Sequence, residues 1–133
     1  MKRLTILLIC AIGLASCKKD EEQRDLIYGR WYEFSQEYIE RDLESGSVSI
    51  DRDTFENSQE YLEFTTDGQV LSSTNRPGTF THTNDSLFIT ITYNDATETL
   101  PLKYRISSNE LTITQTSNRQ YEIIEQSLTY RKR

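Results

Sequence analysis

The chain has 133 residues, with 21 acidic and 15 basic side chains, one histidine, two cysteines and a formal net charge of −6. That length suits one domain. The acidic balance excludes an electrostatic nucleic-acid partner, since phosphate binding needs a basic face. Both cysteines, Cys10 and Cys17, lie near the start, so the rest of the chain has neither a disulfide framework nor a thiolate zinc site.

In chain order, the first element is a leader. Lys2 and Arg3 form a positive end, and Leu4 to Ala15 is a nearly unbroken apolar run. A helix that spans a bilayer needs about 20 apolar residues, so this run is too short. A charged start, a short apolar middle and small residues before a cut are the layout of a secretory signal peptide. Here the small residues are followed at once by a thiol, in Leu14-Ala15-Ser16-Cys17.

This arrangement resembles the lipobox of bacterial lipoproteins. The resemblance implies that residues 1–16 are removed and that Cys17 carries a diacylglyceryl thioether with palmitate-type acyl chains. Each buried methylene contributes about 0.8 kcal/mol, so two or more chains hold a protein to a membrane stably. Residues 17–25 then form the lipidated cysteine and a charged tether, Lys18 to Asp25, too polar to pack. A lysine followed by acids just after that cysteine also resembles the surface-export signal of Bacteroidetes lipoproteins. The implied location is the cell envelope, lipid-anchored at the outer membrane, with the periplasmic side and the cell surface both open.

Residues 26–133 read as all-β. Thr, Ile, Val, Tyr and Phe recur, proline is rare, and turn residues come at short intervals. The predicted strands are Gly29–Arg41, Ser47–Arg52, Glu60–Thr66, Gln69–Thr74, Gly78–Thr83, Ser86–Tyr93, Thr97–Ser107, Glu110–Thr116 and Tyr121–Lys132. Asp67-Gly68 is the strongest hairpin signal, and a two-residue turn there wants positive φ at both positions. Short gaps join antiparallel neighbours, which gives a meander. Alternation puts Leu87, Ile89 and Ile91 on one face, Leu102, Tyr104 and Ile106 on one face, and Leu111 and Ile113 on one face. A one-sided sheet must cover its dry side. Closing into a single barrel of about eight or nine strands does so and removes edges; a sandwich competes but usually needs longer crossovers. A monomer is the favoured state.

The opening "DLIYGRWYEF", the hairpin "EYLEFTTDGQV" and the closing "SLTYRKR" resemble the lipocalin-like domains of bacterial lipoproteins, within the lipocalin superfamily. The resemblance implies a barrel whose closed end is marked by Gly29 and plugged by Trp31. A basic residue of the last strand should cover the indole, with Arg131 the first candidate and Arg105 or Arg133 the alternatives; an indole face attracts a cation.

The lone histidine, His82, lacks the nucleophile and oxyanion setting that catalysis needs. It reads as a strand residue on the side of Phe80. Asp51, Asp53 and Glu56 offer oxygens but not the fixed spacing of a calcium loop. No enzyme, metal or cofactor is expected. Two functions remain. In the first, a small, largely apolar ligand sits in the barrel, shaped by Trp31, Leu62, Phe64, Phe80, Ile89, Leu102, Tyr104 and Ile113. In the second, those side chains fill the barrel, and its outer face or mouth docks a protein or a glycan. The polar segment Glu40 to Gln59 should be a hairpin or lid at the mouth.

Overall fold

The computed structural model describes residues 26–133. The expected signal peptide, the lipid attachment at Cys17 and the tether lie outside the described residues. Nine strands form: β1 (Gly29–Asp42), β2 (Val48–Thr54), β3 (Tyr61–Phe64), β4 (Gln69–Ser72), β5 (Gly78–His82), β6 (Ser86–Tyr93), β7 (Ala96–Ser107), β8 (Glu110–Asn118) and β9 (Glu122–Arg131). All pair antiparallel, in the order β2-β1-β3-β4-β5-β6-β7-β8-β9, and a further β1–β9 ladder closes the ring. The result is an eight-stranded barrel with β2 as an extra strand outside the ring.

β1 makes this possible by serving two partners on one edge. Its first part, Gly29 to Tyr32, pairs with β3. Its second part, Ser35 to Arg41, pairs with β2. β9 runs along the opposite edge of both parts. The change of partner falls at Phe34, where the β1–β9 register shifts between Glu33 and Ser35. A bulge adds one residue to one strand and reverses which side chains face in beyond it. Simple alternation puts Tyr38 on the side of Tyr32 and Phe34. The bulge instead pairs Tyr38 with Gln126, on the face that carries Leu128 and Tyr130.

The turns follow local chemistry. The tight two-residue turn with positive φ at both centres is Asn94-Asp95 (φ 47° and 65°). The hairpin at Asp67-Gly68 forms as predicted but by another route. The Gly68 N–H donates to Thr65 O at 3.1 Å, and only Gly68 is left-handed, at φ 83°. That is a type I turn followed by a glycine bulge. At the β1–β2 turn, the Asp42 carboxylate accepts from the Glu44 and Ser45 N–H groups at 2.9 and 2.7 Å. Bonds from Ser45 and Glu44 hold this carboxyl below its usual range. The Glu40–Gln59 segment is therefore a hairpin and not a flap.

The core lies inside the closed ring. Ile27, Trp31, Phe64, Val70, Phe80, Leu87, Ile89, Tyr104, Leu111, Ile113 and Tyr130 are buried, and Leu62, Leu102 and Leu128 pack against them. β2 has no buried residue. The ring is thus packed at the Trp31 end, while β2, the far half of β1 and the facing parts of β9 and β8 continue beyond it as a sheet.

Trp31 organises the closed end. Its indole N–H donates to Ile27 O at 2.7 Å, folding the preceding segment under the barrel. Gly29 (φ 107°) supplies a backbone angle that a side chain would strain. Replacing Trp31 with alanine should cost about 3 kcal/mol or more, because it opens a cavity in a packed core. Chemical denaturation checks this; an unchanged unfolding midpoint would remove Trp31 from its role as plug.

Candidate functional site

The residues expected to line a ligand cup are together, and they touch one another. Phe64 and Phe80 meet edge to face with centroids 4.9 Å apart. Phe80 stacks on His82 at 5.8 Å, and His82 meets Tyr104 edge-on at 6.1 Å. Tyr28 closes this group against Phe80 and His82, at 6.3 and 6.0 Å. Ile89, Leu102, Ile113 and Leu62 complete the same interior. An eight-stranded barrel is about the size that side chains alone can fill.

His82 is a member of this packing. The Tyr104 hydroxyl donates to Thr83 O at 2.7 Å, which commits its proton. His82 Nδ1 lies 3.2 Å from the Tyr104 hydroxyl oxygen, which ties the imidazole into the same cluster. Among the described residues no group of three or more His, Cys, Asp or Glu side chains could hold a metal ion.

The closing strand corrects the expected cover of the tryptophan. The cation over the Trp31 ring is Lys132, with Nζ 4.4 Å from the centroid. Its ammonium also donates to Leu26 O and Tyr28 O, at 3.3 and 3.1 Å. Arg131 points to the other face of the sheet, because it pairs with Tyr32 and Glu110. Its guanidinium lies 3.2 Å from the Phe34 centroid and bonds Glu110 at 2.6 Å. Arg133 sits 4.2 Å from the Tyr32 centroid. The basic terminus thus covers three rings of β1.

Outside the barrel, the sheet carries a groove of about 550 Å³. Period two places its lining. Thr112 and Thr114 on β8 alternate with the buried Leu111 and Ile113, and they pair with Thr129 and Ser127 on β9. Thr114 and Ser127 hydroxyls are 2.8 Å apart, and those of Thr112 and Thr129 are 3.4 Å apart. Ser35 and Thr54 extend this hydroxyl row. Charges of both signs flank it: Arg52, ion-paired with Glu37, Asp53 next to it on β2, and Lys103 and Arg105 from β7. Lys103 reaches Asp85 at 3.1 Å; the Ser86 hydroxyl first, and then Lys103, hold the Asp85 carboxyl below its usual range. Arg105 makes no ion pair among the described residues, and Phe34 also lines the groove. A neighbouring recess of about 440 Å³ shares Phe34 and is lined by Arg131 and Arg133.

Sequence reasoning missed this face. The alternation of Thr112 and Thr114 was visible, but their match to Ser127 and Thr129 depends on register. The outward place of Ser35 depends on the bulge.

Near the seam, Glu33 pairs with the buried Tyr130. Burial first, and then the Glu60 carboxylate, raise the Glu33 carboxyl above its ordinary value. Burial also raises the Tyr130 phenol, and Glu33 and Glu60 add to it. A carboxyl with a raised folded pKa favours folding when protonated, and that advantage is lost as pH rises through the folded value. Glu33→Gln should therefore raise the melting temperature at pH 7, with the gain shrinking as pH falls towards 4. Thermal melts across this range check it, and a gain independent of pH would contradict the cause. No protein-family model, curated protein or solved structure matches this chain.

Proposed function

We propose that this protein is a non-catalytic recognition module of the bacterial envelope, anchored by lipid on Cys17, whose barrel is filled and whose outer groove binds a glycan. One observation carries the reading. The inward side chains bury one another ring to ring, while a groove of about 550 Å³ lies outside, lined by hydroxyls and by three cations and two carboxylates.

The chemistry of the groove suits a hydroxyl-rich ligand with negative charge. Serine and threonine hydroxyls both donate and accept, so a row of them matches sugar hydroxyls. Three cations, Arg52, Lys103 and Arg105, line the groove against two carboxylates, Glu37 and Asp53, a local excess of one positive charge on a chain whose net charge is −6. The adjoining recess adds Arg131 and Arg133. A uronic-acid oligosaccharide fits this combination better than a neutral apolar molecule. The carrier reading needs room among Phe64, Phe80, Tyr104 and Ile113, and their burial argues against such room.

Titration calorimetry with oligogalacturonate and with an uncharged oligosaccharide of the same length tests the proposal. The acidic ligand should bind more tightly. Arg105→Glu should weaken it about tenfold or more, since a hydrogen bond to a charged group contributes about 1.5–3 kcal/mol. Absent binding, or binding unchanged by Arg105→Glu, would overturn the groove as the site.

A further inference from the structure

We propose that β2 is a self-association edge, and that two copies of this chain join through it as a continuous antiparallel sheet about a dyad at Ile50. The proposal rests on strand geometry and stands apart from the ligand of the groove.

Closing the barrel removes edges from the ring but not from β2, which pairs with β1 alone among the described residues. Its outward backbone groups follow from the ladder. The Asp42 N–H donates to Ser47 O, and the Phe55 N–H donates to Phe34 O, so these pairs are the bonded ones. Bonded and non-bonded pairs alternate along an antiparallel ladder. Ser49, Asp51 and Asp53 therefore bond to β1. Val48, Ile50 and Arg52 turn their N–H and C=O groups to the open edge. Such a row is a template for another strand.

Side chains select the occupant and the register. Val48 and Ile50 are 50% and 52% exposed, and Ile50 is the cross-strand partner of Ile39. A second copy with Ile50 on the dyad places Ile50 against itself, making one apolar row Ile39–Ile50–Ile50–Ile39 across both chains. Val48 then meets Arg52 of the second copy, and Asp51 meets Ser49. No like charges stand directly opposite. Moving the dyad to Asp51 opposes two aspartates; moving it to Arg52 opposes two arginines. Like charges directly opposite destabilise a strand pair. At Ile50 the dyad pair is a bonded one, so both copies exchange N–H···O=C bonds there.

Site-directed disulfide formation tests this in the full chain with Cys10→Ser and Cys17→Ser, so that each added cysteine is the sole thiol. Bonded antiparallel partners have Cα atoms about 5.5 Å apart, within disulfide range. Under mild oxidation Ile50→Cys should form a covalent dimer about tenfold or more faster than Asp53→Cys, because alignment raises the effective concentration of one thiol pair. A mixture of Val48→Cys and Arg52→Cys chains should cross-link to each other faster than either does alone. Association through the apolar leader would not single out position 50. Equal rates at Ile50→Cys and Asp53→Cys, or rates that merely follow exposure, would overturn the proposal. So would rapid cross-linking centred on Asp51→Cys.

Discussion

The β1–β9 seam is the contact on which the rest of this structure depends. A meander becomes a barrel only when its first and last strands meet, and here ten residue pairs make that ladder, Tyr32 to Arg131 through Asp42 to Glu122. The ends are far apart in sequence, so closing the ring carries the full loop entropy of the intervening chain. The seam offsets this with more than backbone bonds. Arg131, Lys132 and Arg133 lie over Phe34, Trp31 and Tyr32. Each cation–ring contact is worth about 0.5–1 kcal/mol when exposed and about 2 when desolvated. Consecutive strand residues face opposite ways, so the three basic side chains clamp β1 from both faces at once.

The same seam explains why the molecule has a packed end and an open sheet. Trp31 and Tyr130 face into the ring from β1 and β9, and the core gathers around them. Past the bulge at Phe34, β1 leaves β3 for β2, and the ring gives way to a sheet with two solvated faces. Both proposed surfaces arise there. The groove uses the outer face of strands whose inner face is core. The β2 edge exists because a second partner strand was added outside a ring that was already complete.

Much of this was legible in the sequence, for physical reasons. Period-two alternation marks β6 and β8 without ambiguity, because Leu87, Ile89, Leu111 and Ile113 must all face one dry interior. The interior set from Leu62 to Ile113 follows from the same rule. What alternation cannot reveal is a single inserted residue. Phe34 has no glycine or proline beside it to flag a bulge, so simple alternation puts Tyr38 on the wrong face. Register across distant strands is equally hidden, which is why Arg131 was the expected cover for Trp31 and Lys132 is the observed one. The hydroxyl groove needed both pieces of information at once.

The central claim is that the barrel interior is occupied by its own side chains. Native mass spectrometry of the protein, after exposure to a bacterial lipid and metabolite extract, tests it most directly. The account predicts the bare polypeptide mass under gentle ionisation. A retained small apolar molecule, lost when Ile113→Trp fills the interior, would contradict it and make the barrel a carrier.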